Sequence, residues 1–458
     1  MADPTVMDKI TALCKRRGFI FQSSEIYGGL NGAWDYGPLG AQLKKNIKDH
    51  WWRAMTQLRD DIVGMDGAIL MNRAVWRASG HEATFSDPLV DCKTCKARFR
   101  ADQIPTSACP QKPSKCPGQG GACDLTEPRS FNLMFKTHAG AVESDENLVY
   151  LRPETAQAIF VQFKNVLDTS RQKLPFGIAQ IGKAFRNEIN PRNFTFRSRE
   201  FEQMELEFFV KPGTGFEWTD HWLEQRLLWY ESIGIPRAKI HILDVPESDR
   251  AFYSKKTYDL EYEFPFGVQE LEGIAYRTDY DLTRHQEASG KPLEYFDEEA
   301  KEKYIPHVVE PSAGVDRTVL AVLCEAFCEE EVTDEKGNKE TRTVLRFAPC
   351  VAPVKAGIFP LLKNKPELVA KAREVESLLR PHMATFYDES GAIGRRYRRQ
   401  DEAGTPFGIT IDFETLEGAK EGPLAGQKDT VTLRHRDSMK QERLPIGSLL
   451  GTLLPLLR

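Results

Sequence analysis

Apolar and polar positions along the chain follow two periods, one near 3.6 and one of 2, and the switches between them mark the elements. Residues 7–19 read as a short helix and residues 39–58 as a longer one, rich in Lys and Trp. Residues 149–151 form a brief apolar run, and residues 154–167 return to helical spacing. Residues 177–188 and 199–210 then read as two strands joined by a loop, 189–198, that holds Asn190-Pro191 and several arginines. A further strand, 307–312, runs into a helix over about 317–327. The pattern fails over 91–128, which is rich in Cys, Pro, Gly and Lys and reads as a small inserted module. Residues 329–342 are strongly polar, with Lys336-Gly337-Asn338 as a turn, and read as a hairpin or linker. A boundary near Val344 follows from this. Beyond it, an apolar segment (344–360), a helix (366–380) and further strands describe a small α/β domain.

The strand at 199–210 carries the first chemistry. Residues two apart share a face, so Met204, Leu206, Phe208 and Val210 point to one side and Gln203, Glu205 and Glu207 to the other. The first set suits a core; the second presents carboxylates and an amide. By the same rule Arg186 and Glu188 share a face at the end of the preceding strand, and Arg192, Arg197 and Arg199 follow within a few residues. A solvated sheet face with surface ion pairs is the ordinary reading of such a pattern. The concentration of guanidinium groups beside a carboxylate-lined strand also suits a polyphosphate and an ammonium bound in one site. Glu310-Pro311-Ser312-Ala313-Gly314-Val315-Asp316-Arg317 adds an acid and a hydroxyl at a strand end, a glycine turn, and an arginine opening a helix, where backbone N–H groups favour anions.

Composition narrows the class. The chain has 458 residues, of which 41% are hydrophobic and 28% charged, which suits a globular protein of more than one domain. No stretch has the length and apolarity of a membrane span, and Met1-Ala2-Asp3-Pro4 does not open a signal peptide, so a cytoplasmic protein is expected. The formal charge of −5 does not favour a polyanionic partner, although such a partner responds to local patches rather than to the total. Five of the nine cysteines, Cys92, Cys95, Cys109, Cys116 and Cys123, fall in the inserted module. Cys92-x-x-Cys95 has the spacing of half a zinc knuckle. With Cys116 and Cys123 it offers four thiolates for a structural zinc; thiols in a metal-less loop are the alternative.

Together these segments resemble the signature motifs of class II aminoacyl-tRNA synthetases. Phe185-Arg186-Asn187-Glu188, the loop, and Arg199-Glu200-Phe201-Glu202-Gln203-Met204-Glu205 resemble motif 2; the Gly314 to Arg317 segment and its helix resemble motif 3; Gly28-Gly29-Leu30-Asn31-Gly32-Ala33-Trp34 and the helix after it resemble motif 1. Leu151-Arg152-Pro153-Glu154-Thr155-Ala156-Gln157, Glu270-Leu271-Glu272-Gly273 and Arg277-Thr278-Asp279-Tyr280-Asp281-Leu282 point to the dimeric, glycine-specific branch. The tail resembles the anticodon-binding domain shared with the synthetases for histidine, threonine and proline, with a basic run, Arg395-Arg396-Tyr397-Arg398-Arg399, suited to phosphate contact.

The resemblance implies an α+β protein. Residues 1–343 would form a catalytic domain on an antiparallel sheet flanked by helices, with insertions at about 91–128 and 286–306. Residues 344–458 would form an α/β anticodon-binding domain with a mixed sheet. It implies a homodimer that joins glycine to tRNA(Gly) through a glycyl-adenylate, using ATP with Mg2+ as a substrate complex. Arg186 and Arg317 would hold the α- and γ-phosphates. Asn187, Glu188, Phe196, Arg197, Ser198, Arg199, Glu200, Phe201, Glu270, Leu271, Gly314, Val315 and Asp316 would complete the ATP site, with Phe201 on adenine and Glu270 beside the metal. Glycine would meet Arg100, Glu154, Glu188, Phe201, Glu202, Gln203, Met204, Glu205, Glu310, Pro311, Ser312, Ala313 and Gly314. Asp316 departs from the second glycine usual in motif 3. A synthetase for a larger amino acid, a catalytically inactive nucleic-acid-binding relative, and an ATP-dependent ligase for a metabolite are the rival readings. The glycine-type segments, the retained arginines and the tail domain count against them in turn.

Overall fold

The computed structural model describes residues 4–94, 96–101, 124–333 and 339–457. Its centre is a seven-stranded sheet built from β1 (Ile62–Gly64), β2 (Phe176–Phe185), β3 (Glu200–Val210), β4 (Ile240–Asp244), β5 (Lys256–Phe264), β6 (Gly267–Thr278) and β7 (His307–Gly314). The strands lie in the order β4-β5-β6-β7-β3-β2-β1. Every neighbouring pair is antiparallel except β1 and β2.

The alternation read in β3 decides what packs on each side. Met204, Leu206, Phe208 and Val210 are fully buried in the largest core, together with residues of α1 (Pro38–Trp52), α3 (Gly215–Ser232) and α5 (Val315–Ala326). Helix α5 is apolar around most of its circumference, as a helix enclosed on all sides must be. On the opposite face, Ile178, Phe209 and Val308 pack under α2 (Ala156–Ser170) and Leu282 of α4 (Tyr280–Ser289). Between that apolar patch and the sheet edge lies the polar row of β3.

The tail holds a five-stranded sheet of β8 (Ala356–Pro360), β9 (Thr385–Tyr387), β10 (Phe407–Ile411), β11 (Thr430–His435) and β12 (Gln441–Pro445), in the order β9-β8-β10-β11-β12. The first three are parallel and the last pairings antiparallel, so the sheet is mixed. Helices α6 (Pro366–Leu379) and α7 (Ile393–Ala403) accompany it. The polar stretch before the tail is a hairpin of Phe327–Thr333 and Lys339–Leu345, paired antiparallel; its turn lies outside the described residues. This hairpin is anchored rather than loose: Arg342 is buried and donates through Nε to Asp401 at 2.9 Å, while Arg434 donates to the other oxygen of Asp401 at 2.9 Å.

Three expectations change. The strand expected to reach Glu188 ends at Phe185, because Arg186 makes the last ladder contact, to the Arg199 carbonyl, and the Asn187 amide turns to Leu133. Arg186 and Glu188 therefore lie on the turn and not on one strand face. Two arginines of the tail's basic run are engaged within the domain: Arg396 is buried against the Gly391 and Pro360 carbonyls, and the partly exposed Arg399 is paired with Asp388 at 2.6 Å, whereas Arg395 is exposed and Arg398 half-buried. The cysteine module is seen only at its margins, where Ser86–Asp91 pairs with Arg98–Arg100 and Arg129–Asn132. Cys92 is buried at the start of a tight turn, with the Lys96 amide on its carbonyl; Cys95, Cys116 and Cys123 lie outside the described residues.

Candidate active site

The polar row of β3 is not a solvated sheet face. Gln203, Glu205 and Glu207 are 8%, 1% and 0% exposed. Register sets their neighbours: Glu205 lies opposite Ser312 and Gln203 opposite Gly314 on β7, while Ser312 and Glu310 lie opposite Gly273 and Ala275 on β6. Small residues at 273, 275 and 314 leave open space above this row. On the other side Gln203 faces Gly182, where a Cβ would sit 2.1 Å from the Arg152 guanidinium, so only glycine lets Arg152 cross there. The result is a cavity of about 370 Å3 with chemically opposite ends.

The inner end is acidic. Arg277 donates from Nη1 to both oxygens of Glu310 at 2.8 and 2.9 Å, and from Nε and Nη2 to Asp281 at 2.8 and 3.0 Å. The Tyr253 ring lies over the same guanidinium, 4.0 Å from it. The Thr155 amide donates to Gln203 Oε1 at 3.2 Å and its hydroxyl donates to Glu205. Glu154 sits 3.3 Å from His81 Nε2 and accepts from Gln157 at 3.0 Å. These surroundings divide the acids. Burial alone would raise Glu154, but His81, Arg277 and Gln157 outweigh it and hold Glu154 far below the usual carboxylate range. Burial and the Glu154 charge raise Glu205. Burial dominates at Glu310, which is pushed up to about 8 against the pull of Arg277, and Glu207 is raised well above its ordinary value by burial and Glu310.

The outer end is cationic. Arg186, Arg197 and Arg317 line it, with Phe196, Phe201, Glu188, Ser198, Glu270 and Leu271. Arg186 bonds the Pro153 carbonyl at 3.0 Å and lies between the rings of Phe85 and Phe201, 5.4 Å from each. Arg317 stacks on Phe196 at 4.4 Å and meets Glu270 at 3.3 Å. Arg197 is lowered by burial, against which Glu188 acts, and then by Arg192, Arg100 and Arg317. Cations crowded in this way favour a bound polyanion.

Several residues named from sequence lie elsewhere. Glu202 and Met204 are on the even face of β3: Glu202 pairs with Lys44 at 2.8 Å and Lys48 at 2.9 Å, and Met204 is core. Pro311 and Ala313 alternate away from the cavity for the same reason, Val315 opens α5 with its side chain in the core, and none of the three lines the cavity. Glu200 is exposed and paired with Lys183. Arg199 is turned onto the carbonyls of Glu188 and Asn31, beside Gly32, where a φ of +75° and a Cβ that would sit 2.7 Å from Pro191 require glycine. Arg100 pairs with Asp87 at 3.0 Å outside the cavity wall, and Asn187 serves through its backbone. Glu154 and Glu205 sit one layer below the wall. Asp316 turns its carboxylate from Arg317: it accepts from Tyr36, from Lys44 at 2.7 Å and from the Glu202 amide at 2.7 Å. The acid in place of a second glycine thus ties α1 to the start of β3.

Other wall residues went unnamed. Tyr253, Asp249, Arg250 and Asp259 line the cavity; burial and then Glu270 push Asp259 up to about 6. Arg277, Asp281, Gln157 and His81 build the acidic end. Arg277, Asp281 and Gln157 fall inside segments that stood out in the sequence, but nothing local marks Arg277 as the partner of Glu310 or Gln157 as the partner of Asp281.

An antiparallel sheet carrying an arginine-rich cavity beside buried carboxylates, followed by a mixed-sheet tail, defines a class II aminoacyl-tRNA synthetase. Residues 135–326 match the model described as tRNA synthetase class II core domain (G, H, P, S and T), and residues 351–455 match the one described as anticodon binding domain. The chain is 54% identical over 448 residues to the glycine--tRNA ligase of Treponema denticola, covering 97% of this chain and 96% of that protein. It is 51% identical over 461 residues to that of Thermobifida fusca, with 98% and 97% covered, and 52% identical over 468 residues to that of Clostridium perfringens, with 97% of each covered. The chain belongs to the glycine--tRNA ligase family.

Proposed function

We propose that this chain joins glycine to tRNA(Gly) in two steps on one site. The observation that carries this reading is the two-ended cavity, cationic at Arg186, Arg197 and Arg317 and lined at the other end by the acid Glu310 with the polar Gln203 and Ser312. Enzymes of this class use ATP and Mg2+. In the first step a glycine carboxylate oxygen attacks the α-phosphorus of ATP and the bond to pyrophosphate breaks. No general base is needed, because the carboxylate is already ionised at neutral pH. The protein aligns the reactants and offsets growing phosphate charge. Arg186 serves the α-phosphate and Arg317 the γ-phosphate, with Arg197 beside them. Phe201 offers its ring to adenine, and Glu270, with Asp259 near it, faces the Mg2+ of the substrate complex. The ammonium is held by Glu310 and Ser312 with Gln203 beside them, and the charges of Glu154 and Glu205 act from behind the wall. In the second step the terminal ribose hydroxyl of the tRNA attacks the adenylate carbonyl and AMP leaves.

Residues 1–343 carry this chemistry and residues 344–458 read the anticodon. Because every competing amino acid is larger than glycine, a tight pocket rejects it by clash and no editing step is required. We infer a homodimer: Ile26, Tyr27 and Leu30, next to α1, are 88%, 86% and 56% exposed, an apolar group suited to a second copy. The expected light-scattering mass in solution is twice that of the chain, and a single-chain mass would overturn the inference. The substrates place the enzyme in the cytoplasm. No helix among the described residues is long and apolar enough to cross a membrane. A structural zinc on Cys92, Cys95, Cys116 and Cys123 rests on spacing alone; elemental analysis of the purified chain decides between metal and thiols.

The testing experiment is amino-acid-dependent ATP–pyrophosphate exchange with glycine, alanine, serine, threonine, proline and histidine. Exchange with glycine alone, followed by charging of tRNA(Gly), is the expected outcome. Exchange with another amino acid overturns the glycine pocket.

A further inference from the structure

The acidic end contains a residue that the two-step reaction does not use. Glu207 is fully buried, two positions beyond Glu205 on the same face of β3, and neither of its carboxyl oxygens meets a hydrogen-bond donor among the described residues. Oxygens of Glu205, Glu207 and Glu310 all lie within 4.8 Å of one another. The groups facing this cluster can be named element by element. Strand β6 brings Arg277, α4 brings Asp281 and His285, and the start of α2 with the segment before it brings Glu154 and Gln157. The loop before β5 brings Tyr253, the short helix at 81–84 brings His81, and Arg152 lies across Gly182. Arg277 already serves Glu310 and Asp281, and Arg152 bonds carbonyls and Gln180 rather than a carboxylate. Three carboxylates within 4.8 Å of one another cannot all remain ionised in a buried site with one committed guanidinium beside them.

We propose that ammonium binding in this pocket is proton-linked: in the empty site Glu207 and Glu310 share a proton, and an arriving substrate ammonium replaces it as the neutralising charge, sending it to solvent. The balance is a carboxylic acid plus R–NH3+ giving carboxylate paired with R–NH3+ and one H+ released to buffer. The sign follows. The acid is protonated at low pH and must ionise on binding, so affinity for the aminoacyl ligand rises with pH, by about tenfold per pH unit while the site is protonated, and levels off above the pKa of the empty pocket. The linkage also gives a selectivity consequence. A ligand that lacks the ammonium gains nothing from displacing the proton and binds without pH dependence from this source.

This inference rests on the glycine reading of the pocket, and the experiment separates the two. Calorimetry of the full chain uses a non-hydrolysable glycyl-adenylate analogue, glycyl-sulfamoyl-adenosine, in phosphate and in Tris at the same pH, with sulfamoyl-adenosine as the amine-free control. The heat difference between buffers gives protons exchanged. The expected result is release of about one proton with the glycyl ligand below the transition and none with the control. Glu207→Gln, nearly isosteric and confirmed folded by its melting curve, is expected to bind the glycyl ligand with its proton release and pH slope both sharply reduced. Equal heats in the two buffers for wild type overturn the proposal, as does unchanged release in Glu207→Gln. So does a loss of affinity on adding salt without proton release, which would mark a resident cation as the neutralising charge. Equal affinity for the glycyl ligand and its amine-free control would instead sink the glycine reading itself.

Discussion

The two ends of the cavity hold charge in different ways. At the outer end, Arg186, Arg197 and Arg317 are partly exposed and contact mainly carbonyls, rings and the acids Glu188 and Glu270. Water solvates these cations, which the proposed reading assigns to phosphate, and their placement costs the fold little. At the inner end, Glu205, Glu207 and Glu310 are buried with Arg277 between Glu310 and Asp281. Here the fold bears the desolvation of several acids, which the proposed reading assigns to the substrate ammonium. The lesson is that a polyanion can be met by accessible cations, whereas a single ammonium must be met by acids that burial has left under-neutralised.

The largest effect that would break this contrast is at the inner end. Arg277→Met leaves Glu310 and Asp281 buried without their cation, and about 3–5 kcal/mol of stability should be lost in denaturant unfolding. A loss within experimental error would mean that the acids are solvated after all. At the outer end Arg186→Ala should leave the melting temperature nearly unchanged while lowering glycine-dependent pyrophosphate exchange by about 100- to 1,000-fold, the scale for removing one donor to developing charge. Comparable losses of stability in both variants would erase the distinction. The smallest effect concerns the joint between them. Asp316→Asn keeps one acceptor oxygen, enough for Tyr36 or for the Glu202 amide but not for both, and loses the charge facing Lys44, so about 1–3 kcal/mol of stability and a few-fold in exchange are expected. If Asp316 instead acted directly on phosphate, ATP KM alone would shift and the melting curve would not.

How much of this was legible depended on whether the signal was local. The period-two face of β3 named Gln203 and Glu205 correctly as neighbours, and its even positions as core. Treating motifs as contiguous blocks is what misplaced Glu202, Met204, Pro311 and Ala313, because a strand sends successive side chains to opposite faces, and Val315, whose side chain opens α5 toward the core. Arg199 was misread for a related reason: a guanidinium next to a phosphate-suited loop can as readily tie that loop to a glycine turn. The inner wall was hidden further. Arg277, Asp281 and His81 reach Glu310 and Glu154 only through the β6–β7 pairing and the packing of α2 and α4, contacts that span scores of residues. The basic run in α7 shows the converse, since its charge density is used internally by Asp388 and by carbonyls.

The measurement that bears most directly on the account is a crystal structure of the chain with glycyl-sulfamoyl-adenosine. The account predicts the ammonium within hydrogen-bond distance of Glu310 or Ser312, the sulfamoyl group against Arg186, and the adenine on Phe201. An ammonium in solvent at the cavity mouth, or the analogue seated with its sulfamoyl group away from the arginines, would contradict it.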